Sequence, residues 1–235
     1  VDSSFLLKMA KEVLNNKVIA VTAVSPLQPG HEKTFVSIIA RRLGIKHITI
    51  NPDTLSNKEV GNNTKKRCYY CKLILMRKIR EIANQYGYVA IEATSRTDLR
   101  NHRPGIKALK RLGITSPLAE AGFEKKDIRR AARRLGLPNW NAPSAACLAS
   151  RIPYGQEISK ERLRRIGKAE NYLRRLRFTQ IRVRDHYPIA RVEIDPREFK
   201  KILRQHRKIV RYFNRLGYRF VTLDLAGYRS GSFDR

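Results

Sequence analysis

Three cysteines offer the most chemistry in this 235-residue sequence, and their spacing divides them into a pair and a single. Cys68 and Cys71 stand three apart in Arg67-Cys68-Tyr69-Tyr70-Cys71-Lys72, and Cys147 stands in Ala145-Ala146-Cys147-Leu148-Ala149-Ser150-Arg151-Ile152-Pro153-Tyr154-Gly155. Small flanking residues let a ligand approach the Cys147 sulfur closely, and a neighbouring guanidinium favours a thiolate, the nucleophilic and metal-binding form. Cys147, Ser150 and Arg151 are therefore the expected catalytic group, against the plainer reading of a small thiol that fills a gap in a core. Two thiols three apart at a helix start can reach one point in space. A structural zinc site needs four ligands, often two such pairs, and only one pair is present. A thioredoxin-like redox pair needs its own fold context. A third reading adds Cys147: three thiolates hold a cubane iron–sulfur cluster whose fourth iron stays open to an added sulfide. On the residues alone, cluster, redox pair and packing remain open for Cys68, Cys71 and Cys147.

Composition bounds the setting of these groups. A hydrophobic content of 42% supplies a core, and the length suits one large or two small domains. No apolar run reaches the ~18 residues of a membrane span, and three cysteines do not make a secreted disulfide framework, so a reducing cytoplasmic setting is expected. Fifty Lys and Arg against twenty Asp and Glu give a net charge of +30 and a pI near 10.7. Such a field attracts anions, from nucleotides to nucleic acid, and a solvated basic surface is the competing explanation.

The elements that must position the cysteines fall into two patterns. Phe5 to Leu14 repeats apolar residues with helical period, entered through Val1-Asp2-Ser3-Ser4. Helix N-termini hold anions, which makes Asp2, Ser3 and Ser4 candidates for a nucleotide phosphate. Lys17 to Val24 reads as a buried strand that carries Thr22, Glu32 to Leu43 as a helix stopped at Gly44, and Ile45 to Ile50 as a second strand. A helix from about Leu73 to Tyr86 and a third strand, Tyr88 to Glu92, follow. This alternation predicts an α/β domain with a parallel sheet, in which ligands sit at the carboxyl ends of the strands, here the loops after Val24 and Ile50. From Ile158 the order changes to α-β-β-α-β, a smaller α+β domain. It has a helix capped by Ser159, strands Gln180–Arg184 and Ile189–Ile194, a second long helix from Pro196 to Gly217, and a last strand Tyr218–Leu225. The expected division is 1–150 and 151–235. Arg182 and Arg184 share one strand face, as do Arg191 and Glu193, while Arg229 lies in a glycine-flanked loop. Such a cluster suits a substrate phosphate, with ion pairing between Arg191 and Glu193 as the alternative. His186 is placed in an exposed turn.

Taken in order, Arg103-Pro104-Gly105, Ser116-Pro117-Leu118, Gly136-Leu137-Pro138-x-Trp140, Ala146-Cys147-Leu148-Ala149-Ser150-Arg151 and Gly227-Tyr228-Arg229-Ser230-Gly231-Ser232 resemble the ATP-dependent sacrificial sulfur transferases, the LarE family. The resemblance runs over essentially the whole chain. Val1-Asp2-Ser3-Ser4 is similar to the end of the Ser-Gly-Gly-x-Asp-Ser loop of ATP pyrophosphatases; the Ser-Gly-Gly and the strand before it are not in this sequence. Two stretches depart from the family's pattern. Ala93-Thr94-Ser95-Arg96-Thr97-Asp98 stands for Gly-Thr-Asn-x-Asp-Asp, and Trp140-Asn141-Ala142-Pro143 for Trp-Asp-Lys-Pro.

The resemblance implies a PP-loop (Rossmann-like, HUP-type) nucleotide-binding domain and a smaller sulfur-transfer domain. It implies adenylation of a carboxylate of pyridinium dicarboxylate mononucleotide by ATP with Mg2+. Sulfur then displaces AMP to give a thiocarboxylate, on the way to a nickel-pincer nucleotide. Asp2, Ser3, Ser4, Thr22 and Arg103 are the implied ATP-side residues, and Ser150, Arg182, Arg184, Glu193 and Arg229 the residues around the substrate. Cys147 matches the sulfur cysteine, which some members sacrifice to dehydroalanine. With Cys68 and Cys71 it matches members that carry a 4Fe-4S cluster. The family also implies a homo-oligomer. Two other functions compete on the charge: a tRNA thiolase with an iron–sulfur cluster, and a basic nucleic-acid-binding protein without catalysis.

Overall fold

The computed structural model describes residues 1–28, 32–100, 104–142 and 146–229, and the chain divides into two compact units. The first comprises 1–25, 30–60 and 65–145; the second comprises 146–235 together with two short segments, 26–29 and 61–64.

The first unit opens with α1 (Asp2–Leu14), β1 (Ile19–Ala23), α2 (Glu32–Arg42) and β2 (Lys46–Ile50). β1 and β2 pair in parallel, in register from Ile19↔Lys46 to Ala23↔Ile50, and the Val24 N–H extends the ladder to the Ile50 carbonyl at 2.7 Å. The chain leaves α2 through Gly44, whose φ of +62° suits a residue without Cβ at a helix end. Short turns α3 (Lys58–Gly61), α5 (Arg96–Leu99) and α7 (Pro117–Glu120) punctuate the longer helices α4 (Arg67–Gln85), α6 (Pro104–Leu112) and α8 (Lys125–Arg134). Leu73 and Met76 of α4 bury against Ala108, Leu109 and Leu112 of α6, and Ile128 and Ala132 of α8 against Phe5 of α1. Burial on this scale stabilises by roughly 1.5–3 kcal/mol per large side chain.

Two expectations fail here. α4 starts at Arg67, not near Leu73, because Tyr69 continues the apolar stripe of Leu73 and Met76 backwards and packs on the same core. Cys68 and Cys71 thus lie inside the first turns of the helix. Tyr88 to Glu92 is not a strand; it makes a single parallel bridge, Ile91↔Thr115. The partner segment is too short to pair further, since α6 ends at Leu112 and the turn at Pro117 follows within a few residues. The parallel sheet therefore has two strands among the described residues.

The second unit places a 3-10 turn (Leu148–Arg151) before α9 (Lys160–Arg175), β3 (Ile181–His186) and β4 (Ile189–Ile194). A second 3-10 turn (Pro196–Glu198), α10 (Phe199–Arg204), α11 (His206–Arg215) and β5 (Phe220–Leu223) complete it. Ser159 Oγ accepts from the Arg162 N–H at 3.2 Å and caps α9. β3 and β4 are antiparallel, and β4 and β5 parallel. One sheet face carries Ile181, Val183, Ala190, Val192 and Ile194, which pack with Ala169 and Leu173 of α9 and Ile209 and Phe213 of α11. The opposite face carries Arg182, Arg184, Arg191 and Glu193. Three further expectations are corrected. β3 runs on to His186, which is half-buried in the strand, and the turn is Tyr187-Pro188, joined by a cis peptide. The helix after Pro196 is broken at Gln205 into α10 and α11. The last strand is shorter than Tyr218–Leu225.

Candidate active site

Cys147 is exposed and in no disulfide, at the mouth of the 3-10 turn. Leu148 and Ala149 turn inward and anchor that turn. The borrowed segments of the second unit hold its backbone: Leu148 N–H donates to the Leu27 carbonyl at 2.7 Å, and Asn63, fully buried, donates from Nδ2 to the carbonyls of Ile152 at 3.1 Å and Pro153 at 2.7 Å. Arg151 is 1% exposed and does not reach toward solvent. Its guanidinium meets the equally buried Glu170 of α9 through Nε–Oε1 at 2.8 Å and Nη2–Oε2 at 3.1 Å. Its remaining arm, Nη1, donates to the carbonyls of Ala146 and Cys147, both at 3.1 Å, and to Ser150 Oγ at 2.9 Å. Ser150 Oγ in turn donates to the Cys147 carbonyl at 2.7 Å. Arg151, expected in the catalytic group, thus binds the backbone on both sides of the cysteine from a buried position.

A second clamp lies on the polar face of the sheet. Arg184 pairs with Glu193 through Nε–Oε1 at 2.9 Å and Nη2–Oε2 at 2.8 Å, and its Nη1 donates to the Ser150 carbonyl at 2.6 Å. Arg191 adds a 3.2 Å contact to Glu193 Oε1, so the ion pair expected as the alternative is present. Arg182, on the same face, is half-buried; it donates to the Ile181 carbonyl at 2.7 Å and lies over the Tyr228 ring at 5.0 Å. Burial and the neighbouring Arg151 charge lower its pKa from the ordinary arginine value. Arg229 is exposed next to Tyr228, on a loop tied down by the Tyr228 N–H to the Ile194 carbonyl at 2.9 Å. Cys147, Ser150, Arg151, Arg184 and Glu193 are therefore joined by continuous hydrogen bonding, and Arg182 lies on the same sheet face as Arg184 and Glu193.

The first unit holds the other expected groups. Cys68 is exposed and Cys71 partly so, on successive turns of α4, and Arg67 Nη2 lies 3.8 Å from Cys68 Sγ. Two accessible sulfurs one turn apart beside a cation suit thiolate ligation of a metal centre. Among the described residues, no group of three or more His, Cys, Asp or Glu side chains is gathered as a metal site. Lys72, next to Cys71, donates to Glu92 at 3.1 Å, and Glu92 also accepts from Ser116 Oγ and from the Thr94 N–H at 2.9 Å. Burial works to raise the Glu92 pKa, but the Lys72 charge and these donors outweigh it and hold it below the ordinary carboxylate value. At the start of α1, Ser3 is exposed, Asp2 lies 3.6 Å from Lys125 Nζ, and Ser4 is buried and accepts from Asn139 Nδ2 at 2.9 Å. The same ammonium reaches Asp98 at 3.0 Å. Thr22 Oγ1 meets His47 Nε2 at 2.9 Å across the β1–β2 pair. Arg103 lies outside the described residues, as do Ser230 to Arg235.

Sequence reasoning missed Glu170, Lys72, Glu92 and Tyr228. Glu170 had a signal: it is a lone acid on the apolar stripe Leu163, Ile166, Ala169 and Leu173 of a basic helix. Glu92 had a weaker one, at the end of the apolar run Tyr88–Ile91. Nothing in the sequence marked Tyr228 as an arginine platform.

No family model matches the chain. It is 40% identical over its whole length to the uncharacterized protein slr1717 of Synechocystis, of which it covers 89%. It is 31% identical, over 80% of its length, to the uncharacterized protein MJ0830 of Methanocaldococcus jannaschii, of which it covers 74%. It is 37% identical, over 98% of its length, to the pyridinium-3,5-bisthiocarboxylic acid mononucleotide synthase of Lactiplantibacillus plantarum, of which it covers 84%. That identity over nearly the full chain, with the cysteine turn clamped as described, shows that this chain belongs to the LarE family of sulfur transferases.

Proposed function

We propose that this protein is an ATP-dependent sulfur transferase that converts a carboxylate of pyridinium dicarboxylate mononucleotide to a thiocarboxylate, in the making of a nickel-pincer nucleotide. The observation that carries the reading is the exposed Cys147 on a turn whose backbone is fixed by two buried Arg–Glu pairs. A reactive group held within a fraction of an ångström gains rate through orientation. In the first step a substrate carboxylate oxygen attacks the α-phosphorus of ATP, and the bond to pyrophosphate breaks. In the second, sulfur attacks the acyl carbon and AMP leaves. Arg182 and Arg229 would bind the substrate phosphate, and the first unit would be the PP-loop domain, with Asp2, Ser3, Ser4, Thr22 and Arg103 toward ATP and Mg2+.

Cys147 would act in one of two ways. As donor, its own Cβ–S bond breaks after loss of the Cα proton, leaving dehydroalanine and releasing the thiocarboxylate. As ligand, with Cys68 and Cys71, it would hold a 4Fe-4S cluster, which supplies an added sulfide when bound. The cysteine inventory, one pair and one single with no spare, favours the second mode. In the tested reaction, protein, ATP and pyridinium dicarboxylate mononucleotide should give AMP, pyrophosphate and thiocarboxylate together. Product formed only with tRNA, as a thiolated nucleoside, would overturn the reading in favour of an RNA thiolase.

A further inference from the structure

Much of the positive charge lies away from the clamped cysteine turn, on the helical layer of the second unit. Residues 199–219 contain eight Lys and Arg and no Asp or Glu. Arg204, Arg207, Lys208, Arg211 and Arg215 are all exposed on α10 and α11. At 100° per residue, the four on α11 fall within about a third of the helix circumference, opposite Ile209 and Phe213. Arg164, Lys168 and Arg175 form a similar exposed stripe on α9, opposite Ile166, Ala169 and Leu173. α9 and α11 cover the same sheet face through one core, so both stripes turn outward on the same side. Tyr172 and Tyr212 stack at 3.9 Å and 9° between them, and Tyr172 OH donates to the Lys208 carbonyl at 3.4 Å, which locks the helices side by side. The ion pairs of these helices use other cations: Arg165 to Glu161, Arg174 to Glu170 and Lys201 to Glu198. Among the described residues the eight outward cations have no carboxylate partner.

We propose that this two-helix face is a docking surface for double-helical RNA, held through its phosphate backbone. At the helical rise the α9 stripe is about 16 Å long and the α11 stripe about 12 Å, distances over which a nucleic-acid duplex presents about seven to ten phosphates. Both stripes lie on the outer faces of helices that share one core and meet through the Tyr172–Tyr212 stack. Long basic side chains on such a face reach phosphates, and an RNA duplex, whose deep, narrow major groove excludes side chains, is recognised through its phosphates and 2′-hydroxyls. RNA here is a partner and not the sulfur acceptor, so the surface stands independently of the proposed reaction.

The test is fluorescence anisotropy of the purified full chain with an RNA duplex of about 20 base pairs, across a salt series. Three proteins are compared: the unaltered chain, Arg207→Gln/Lys208→Gln/Arg211→Gln/Arg215→Gln, and a charge-matched control, Lys17→Gln/Lys65→Gln/Arg77→Gln/Lys110→Gln. The unaltered chain and the control should bind in the micromolar range, and the α11 variant at least about tenfold more weakly with a shallower salt slope, because each lost phosphate contact removes about 0.9 from it. Circular dichroism checks that the α11 variant is folded. Equal weakening in both variants would make the charge a diffuse field and overturn the proposal. So would the absence of RNA binding, equal binding of a DNA duplex of the same length, or stronger binding to anionic lipid vesicles than to RNA.

Discussion

Arg151 lies side-on to the Glu170 carboxylate, with both side chains 1% exposed, while its third nitrogen donates to the carbonyls of Ala146 and Cys147. One guanidinium thus connects the middle of α9 to the backbone on either side of the exposed thiol. Glu170 is further tied to the sheet, since its Oε1 accepts from the Val183 N–H at 3.1 Å. The position of Cys147 is therefore set by a helix and a strand as well as by its own turn.

Removing one partner of a buried pair leaves an uncompensated charge and costs about 3–5 kcal/mol. Glu170→Ala should lower the thermal midpoint and raise the rate at which Cys147 is alkylated. The double variant Arg151→Met/Glu170→Leu should recover part of the stability, because neither member of the pair is left as an uncompensated charge although the Val183 N–H loses its acceptor, while thiocarboxylate formation stays low. Recovery of both together would show that the pair serves stability alone.

Arg184→Lys tests the second clamp. Lysine keeps the charge but cannot hold both Glu193 oxygens and the Ser150 carbonyl from one planar fork. Thiocarboxylate formation should fall by about tenfold or more, with a smaller change in the apparent affinity for the substrate, because the lost contact orients the turn. A change in substrate affinity alone would place Arg184 on the substrate.

How much of this arrangement the sequence displayed depends on the distance over which each signal acts. The cap at Ser159, the stop at Gly44 and the β3–β4 pair come from local residue types and were legible. Cys147, Ser150, Arg184 and Glu193 stood out as motif and strand alternation, but the alternation suggested Arg184 for a substrate phosphate and did not show that it is buried against Glu193. The Arg151–Glu170 clamp was not, because its partners are 19 residues apart and meet only once α9 packs on the 3-10 turn. The strand read at Tyr88–Glu92 had the right apolar pattern, but a strand needs a partner, and the turn before Pro117 offers Thr115 alone. Asn63 was silent because its amide serves carbonyls 89 and 90 residues away.

Gly227→Ala should displace the loop that carries Tyr228 and Arg229. The backbone there has φ +69°, and an added Cβ would lie 2.7 Å from Pro196 Cγ and 3.0 Å from the Ile194 carbonyl oxygen. Strain of this kind costs about 1–3 kcal/mol. The expected result is a raised KM for the mononucleotide, read in steady-state kinetics, with stability reduced by that amount.

His186 gives a pH dependence. Burial, and after it the Arg191 charge, lower its pKa from the ordinary histidine value. Above that ordinary value both folded and unfolded chains hold it neutral. As pH falls through it, the unfolded chain takes the proton first, so stability declines until the lowered folded value is passed. Thermal melts from about pH 7 to about pH 5 should show this decline, and His186→Gln should flatten it. An unchanged slope would assign the decline to other groups.

The sulfur source separates by metal analysis. Protein prepared without oxygen should be brown and contain iron and acid-labile sulfide, and Cys68→Ala should lose both. If Cys68→Ala keeps the iron content and spectrum of the parent, the cluster assignment fails. Loss of one sulfur from Cys147 after a single turnover, read by mass spectrometry, would then identify the sacrificial mode.

The most direct test of Cys147 as the sulfur-transfer centre is a single-turnover assay of Cys147→Ala with ATP and pyridinium dicarboxylate mononucleotide, following pyrophosphate, AMP and thiocarboxylate separately. The expected result is continued pyrophosphate release and an accumulated acyl-adenylate, with no thiocarboxylate. Thiocarboxylate formed at the parent's rate would contradict the assignment of sulfur transfer to Cys147.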